Sequence, residues 1–431
     1  MEMTGLFKGA GKILCPLIFL FAAIDSQAAL IEVGEGKSFS TIQQAVGKAS
    51  NGDIIEVWEG IYPETLIVDK SITMKGVERP TIDGGGAGHT VVIKAPGVVF
   101  SGFRVIRSGS DLATDDSCIL VDADSKGTEI RDNLVEDCAF GIYINGAEGA
   151  RVINNHVIGR SELMTQKRGN GIHLFSMEKG HVEGNEIEGA RDGILVSISR
   201  RSLIKNNKIH DLRYGIHYMY ADYNRLEGNV TYGNKAGLAI MFSKELEIES
   251  NYSYDNIEFG ILFRDIFDSK VIRNVMAGNG KGIFIYNSLF NEIRENVIAE
   301  NDIGSHVSAG SEDNKVYDNA FVHNKTQVKY VGMRDEDWSH EGKGNYWSDY
   351  LGWDVDGDGS GDKPYEANTV VERLIWAYPM IKLLFNSPAV QTIRMAESQF
   401  PVIRQAGIVD SAPLMRPSIN NWSKWVGRRN N

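Results

Sequence analysis

The chain has 431 residues, 42% hydrophobic and 24% charged, which excludes an intrinsically disordered or collagen-like polymer. A formal net charge of -12 excludes a general nucleic-acid binder and suits a soluble protein that tolerates cations. Length alone suggests two or three domains, but repeat architectures break that rule, and this chain repeats.

At the N-terminus Lys8 and Lys12 precede an apolar run from Ile13 to Ile24, and Ser26-Gln27-Ala28 follows. The pattern reads as a secretory signal peptide over 1–28, cleaved before Ala29. The run is shorter than the roughly 20 apolar residues of a spanning helix. Leu14 stands before Cys15 where a lipobox has a small residue. The protein is therefore expected to act outside the cytoplasm, in the periplasm. Cys118 and Cys138 remain, 20 residues apart and so close to one repeat. A disulfide across neighbouring turns and two buried thiols both fit that spacing.

From Ser40 to Ala49 a capping Ser precedes Ile42, Ala45 and Ala49 on one side, which predicts a short amphipathic helix. Such a helix would cover the exposed first turn of a stack, since open strand edges invite pairing. Short strands are then predicted at Ile54 to Val57, Leu66 to Val68, Ile72 to Lys75, Val91 to Ile93 and Val98 to Val105.

A strand of the form Gly-apolar-x-apolar recurs at Gly141, Gly171, Gly193, Gly215, Gly237, Gly260, Gly282 and Gly304, in steps of 30, 22, 22, 22, 23, 22 and 22. Asparagines keep step at Asn155, Asn185, Asn207, Asn229, Asn251, Asn274, Asn296 and Asn319. Two markers locked to one period predict an all-β, right-handed parallel β-helix of about 22 residues per coil. The alternating pairs Ile142/Ile144, Ile172/Leu174, Ile194/Val196 and Ile216/Tyr218 mark the buried face. The asparagines are expected to take the left-handed backbone of coil corners and to stack as an amide ladder. The one long step places Ser161 to Asn170 as a loop on the flank.

Positions two and four beyond each glycine are expected to point to solvent, in rows about 5 Å apart from coil to coil. Position two reads Tyr143, His173, Leu195, His217, Ala239, Leu262, Phe284 and His306. Position four reads Asn145, Phe175, Ser197, Met219, Met241, Arg264, Tyr286 and Ser308. His173, His217, Met219 and Met241, with Met177 just beyond and Met164 in the inserted loop, join imidazole to thioether, a donor set that suits a soft ion such as Cu(I). An apolar docking face for a partner protein fits the same residues.

Past Asn319 the repeat decays. Gly344-Asn345-Tyr346-Trp347-Ser348-Asp349-Tyr350 leads into an acidic loop, 354–362, with carboxylates at Asp354, Asp356, Asp358 and Asp362. Alternate aspartates with a glycine at the sixth place resemble a calcium-binding loop. The twelfth place is Tyr365, which departs from an EF-hand and suggests a dockerin-like loop, structural in role, over 344–369. In the tail, 370–431, Ser387-Pro388 opens a helix with Val390, Ile393, Ala396 and Phe400 along one side. That tail either caps the stack or meets a membrane partner.

The stretch Gly344 to Tyr350, the acidic loop and Lys363-Pro364-Tyr365 resemble the C-terminal signature of the NosD family. The tail, Ser387-Pro388-Ala389-Val390 through Gln399-Phe400-Pro401 and Pro413-Leu414-Met415, is similar to the same family. The resemblance covers essentially the whole mature chain. It implies a periplasmic accessory protein for nitrous-oxide reductase, whose copper-sulfide centre is assembled after export. It also implies an ABC-type ATPase, a membrane permease and a copper chaperone as partners, with no catalytic residues here. No Gly-x-x-x-x-Gly-Lys-Ser/Thr loop occurs in the chain, so ATP hydrolysis would belong to a partner.

The rival readings are an exported polysaccharide lyase or C5-epimerase, and a carbohydrate-binding β-helix that stacks sugars on Tyr143, Phe175, Phe284 and Tyr286. The dense acidic group Asp111, Asp115, Asp116, Asp122 and Asp124 would serve the first of these.

Overall fold

The computed structural model describes residues 28–308, 310–367, 371, 374, 378–384, 387–399, 406–420 and 422–427. Apart from Ala28 the signal-peptide segment lies outside the described residues, as do Phe400 and Pro401 of the tail.

Three long sheets of 13, 12 and 13 strands are visited in turn, one strand from each per coil, and every pairing within them is parallel. This is the parallel β-helix that the period demands. Ile142, Ile144, Ile172, Leu174, Ile194, Val196, Ile216 and Tyr218 all point into one continuous core, as their alternation requires. The repeated glycine is where backbones of successive coils come closest: a Cβ on Gly215 would sit 2.6 Å from the Gly237 carbonyl oxygen. No helix among the described residues is long and apolar enough to cross a membrane.

At the first coil the predicted helix spans Ile42–Lys48, but Ser40 does not cap it. The Glu64 carboxylate does so instead, accepting the Ile42 and Gln43 N–H groups at 2.8 and 2.9 Å. The Gln43 amide then pairs with the backbone of Ile67, as a further strand would. The single strand expected from Val98 to Val105 is two, Val99–Ser101 and Arg104–Ile106. Gly102 turns the corner between them with φ +81°, a conformation that glycine adopts without strain. Cys118 and Cys138 are disulfide-bonded between neighbouring coils, with Cα atoms 5.6 Å apart.

The amide ladder runs up one corner from Asn133 to Asn345. Along it each asparagine N–H and each Nδ2 donates to the Oδ1 of the asparagine one coil on, for example Asn207 to Asn229 at 3.1 and 2.9 Å, then Asn229 to Asn251 at 2.9 and 2.9 Å. The remaining Nδ2 proton reaches back to a core carbonyl, Asn229 to Ile204 at 2.8 Å. A second ladder joins Asn234, Asn256, Asn279, Asn301 and Asn324 and ends on Gln327. The ladder asparagines are not themselves left-handed, contrary to expectation. That conformation falls on the residue before each, at Asp132, Asn154, Asn206, Ser250, Arg273, Glu295 and Asp318, and on Gly184 and Gly228. The corner thereby turns just ahead of the amide and aims it inward, where it is buried.

Asp410 closes the C-terminal end. It lies on the strand Ile408–Asp410, which pairs in parallel with Glu336–Asp337 and antiparallel with Tyr365–Glu366. Its fully buried carboxylate accepts the Asn345 N–H at 2.7 Å and the Trp347 indole N–H at 2.8 Å, ending the ladder. Burial outweighs those donors and pushes this carboxyl up to about 6. Phe321, Trp347 and Tyr365 stack at 4.3 and 4.2 Å and carry the core into this cap. The tail helix spans Pro388–Gln399, with Ser387 Oγ accepting the Val390 N–H at 3.4 Å and Val390 buried.

Replacing Asn229 by Ala leaves the Asn207 N–H and Nδ2 donors buried without an acceptor. The expected loss is about 3 kcal/mol, read by urea unfolding of the mature chain; a loss under about 0.5 kcal/mol would mean the ladder contributes little.

Candidate functional site

The two predicted rows exist and lie in the 12-stranded sheet. Register partners run Tyr143, His173, Leu195, His217, Ala239, Leu262, Phe284 and His306 in one row. Asn145, Phe175, Ser197, Met219, Met241, Arg264 and Tyr286 form the other. Met219 and Met241 are therefore direct neighbours, and one coil separates His173 from His217.

The first row is not exposed as the sequence suggests. His173 and His217 retain 9% and 6% of their surface, and Leu195, Ala239 and Leu262 are buried with them. Ring and thioether side chains pack along it: Phe140, Tyr143 and Phe175 cluster over one stretch, and Tyr214, Met241, Phe259 and Phe284 over the next. These clusters stand apart from the solenoid core. Met219 and Met241 stay partly open. Met177 does not join them, for it is buried in the core. Ser176 turns left-handed just before it, at φ +52°, and breaks the alternation. Met164 is exposed on the inserted loop, far less constrained than the strand residues.

Asp192, one residue ahead of its strand glycine, is fully buried and was not foreseen as a site residue. Its carboxylate receives Arg213 Nε and Nη2 at 2.8 and 2.6 Å and faces His217 Nδ1 at 3.0 Å. Burial opposes its ionisation, but the hydrogen bonds from His217 and Arg213 prevail and hold it below the ordinary aspartate range. A carboxylate only accepts, so His217 Nδ1 is the donor in this contact and Nε2 is the ring nitrogen turned away from Asp192. That Nε2 is buried and has no hydrogen-bond partner. Tyr214 packs edge-on to His217 at 5.1 Å and lies beneath the Arg213 guanidinium at 4.5 Å, which fixes the group laterally.

His173 Nε2 meets Ser197 Oγ at 3.0 Å, and its Nδ1 is likewise buried without a partner. Burial first, then the Arg191 charge, pushes His173 down to about 3, so it is neutral at physiological pH. His306, further along the row, has the same unpartnered Nδ1 and is pushed down to about 4 by burial and by Lys329 and Lys281. Imidazole nitrogens without protein partners, on strands that also carry two thioethers, are a donor set that suits a soft cation. The signal in the sequence was an Asp at the corner before Gly193 and an Arg at the same corner one coil on.

Of the acidic residues before the regular coils, Asp116 accepts the Asp111 N–H and the Thr114 hydroxyl and so shapes its own turn. Burial pushes Asp115 up, against its hydrogen bond from Tyr143. In the acidic loop, carboxylate oxygens of Asp354, Asp356 and Asp358 lie within 4.8 Å of one another. Asp362 stands outside that group and accepts the Val355 N–H at 2.8 Å. Backbone donors Gly357 and Gly359 hold Asp354 below the ordinary aspartate range, Gly359 contributing most.

A family model described as "Periplasmic copper-binding protein (NosD)" matches residues 153–352. A Pseudomonas aeruginosa protein named "Probable ABC transporter binding protein NosD" is 42% identical over 83% of this chain and 87% of its own. Its counterpart of the same name from Stutzerimonas stutzeri is 39% identical over 83% of this chain and 85% of its own. Among solved structures, PfbA, a surface adhesin of Streptococcus pneumoniae, superposes with a TM-score of 0.50 at 12% identity, over 68% of this chain and 87% of that one. That likeness is one of fold.

With its folded-state pKa near 3, His173 is expected to show no titration between pH 4.5 and 8 when its ring carbons are followed by NMR. An inflection near pH 6.5 would mean the ring is solvated and the cover over the row is absent.

Proposed function

The chain belongs to the NosD family, and on that premise we propose that it is a periplasmic accessory protein in the maturation of nitrous-oxide reductase, carrying copper as cargo between an ABC transporter and the enzyme. The description of the family as periplasmic and copper-binding, and the transporter-binding name of both relatives, support this reading. The partners are an ABC ATPase and its permease, a copper chaperone that hands over the ion, and the reductase that receives it. Through the permease the protein meets the membrane.

The observation that carries the proposal is the pair of buried, unpartnered imidazole nitrogens in one register-locked row beside Met219 and Met241. A buried nitrogen lone pair without a donor is costly unless something else takes it. At His173, which is neutral, Cu(I) does so without displacing a proton. Imidazole and thioether select the reduced ion over hard cations. His173, His217, Met219 and Met241 are the proposed ligands. Asp192 is the positioning residue that fixes which His217 nitrogen faces the ion, as carboxylates behind metal-bound histidines do. The partial cover over the row slows exchange with water and leaves the thioether side as the route of entry and exit.

For the acidic loop we propose a structural Ca2+, supported by the convergence of Asp354, Asp356 and Asp358. Calorimetric titration of the mature chain with Ca2+ is expected to show binding that Asp356→Asn with Asp358→Asn removes. No heat from the unaltered chain would end that reading.

Anaerobic Cu(I) titration tests the main proposal. His217→Ala, Met219→Ser and Met241→Ser together are expected to abolish binding, and Asp192→Asn alone to weaken it about 10- to 100-fold, the usual cost of losing a carboxylate that holds a ligand histidine. In cells the triple variant is expected to yield reductase short of copper. Unchanged affinity together with unchanged reductase copper would overturn the assignment.

A further inference from the structure

A second side-chain cluster lies on another wall of the solenoid, in the 13-stranded sheet that holds the strands His156–Ile158, Glu186–Glu188 and Lys208–His210. Outward positions on these three strands bring two histidines and two glutamates together. Glu188 and His210 are register partners, and Glu186 is the partner of His156. His156 Nε2 lies 3.2 Å from Glu188 Oε1, and His210 Nε2 lies 3.7 Å from Glu186 Oε1. At the corner that follows, Asp211 is left-handed at φ +59°, which turns its carboxylate back to His210 Nδ1 at 2.7 Å. Ligand atoms of Glu188, His210 and Asp211 lie within 4.8 Å of one another.

We propose that Glu188, His210 and Asp211, with His156 as a fourth donor, form a site for a divalent transition-metal ion of the zinc and copper(II) class. The proposal stands apart from the Cu(I) face, since the two use different sheets and different donor chemistry. Nitrogen and carboxylate oxygen suit borderline divalent ions, and no thioether is present to favour the reduced state. Two histidines and two carboxylates supply enough donors for a four-coordinate ion. An ordinary surface ion ladder would pair each carboxylate with a lysine or arginine. Lys208 does pair with Glu186, at 2.6 Å, but among the described residues the ion pairs of Glu188 and Asp211 are with histidines, His156 and His210. Negative charge is thus concentrated at the ligand pair without a permanent cation.

The donors are also held in place. His210 is buried to 8% exposure and stacks on Tyr232 at 4.8 Å and 15°, while Tyr232 stacks on Tyr254 one coil on. The ring therefore keeps its plane, and the exposed Asp211 leaves one side open for an ion to enter. Binding would replace the imidazole–carboxylate hydrogen bonds by metal bonds and release protons from whichever rings carry them.

Zn2+ titration of the mature chain by calorimetry tests the site, with Cu2+ followed by electron paramagnetic resonance. One equivalent of Zn2+ is expected to bind, and bound Cu2+ to show coupling to nitrogen. His210→Ala is expected to weaken Zn2+ at least about tenfold. Asp211→Asn, an exposed change that leaves the stack intact, is expected to weaken it in the same direction. Equal Zn2+ affinity in both variants and the unaltered chain, or no binding at all, would overturn the proposal. The His217→Ala, Met219→Ser, Met241→Ser variant is expected to keep its Zn2+ affinity, and His210→Ala its Cu(I) affinity. Each site can therefore fail without the other.

Discussion

Register is the constraint from which this molecule follows, and the asparagine ladder enforces it. A coil slipped by one residue would exchange the inner and outer faces of its strands. It would also take an amide out of line with the amides above and below, leaving buried donors without acceptors. Each asparagine uses its backbone N–H, its Oδ1 and both Nδ2 protons on neighbours in adjacent coils or core carbonyls. Hydrophobic burial holds the stack together without regard to direction. The directional amides decide where along the stack each coil sits.

Function on such a scaffold is a matter of columns. Residues 22 apart in the chain become neighbours, so a site can be written one residue per coil. Met219 and Met241 are adjacent because they are register partners, and Asp192 reaches His217 from the coil before. The same rule builds the histidine–carboxylate cluster on the other wall from Glu188 and His210. Two sets of donors of different softness thus coexist on one rod without competing for the same atoms.

The period, the inward pairs, the asparagine ladder and the row membership of His173, His217, Met219 and Met241 were legible because they are repeated along one dimension. What the sequence hid depends on contacts across coils or on corners. Glu64 caps the first helix from about one coil away, where no local motif could announce it. Met177 changes sides because Ser176 breaks the alternation. Phe140 packs against His173 and Tyr214 against His217, residues beside the strand glycines rather than within the alternating pattern. Asp192 belongs to no row of repeated residues, and its contacts with Arg213 and His217 are made across coils.

The terminal arrangement of the amide columns bears on the shape of the whole molecule. Stacked parallel strands offer the same template at each end, and bare templates of that kind grow into fibrils by accretion of further copies. Here Gln43 occupies the backbone groups of Ile67 at one extremity, and Asp410 takes the last asparagine donors at the other. Both stoppers are side chains that stand in for the next strand: Gln43 donates to and accepts from Ile67, while Asp410 only accepts and returns no amide to continue the row. Capped ends of this kind let the stack exist at high concentration without seeding its own polymer, and leave its flanks rather than its tips for neighbours.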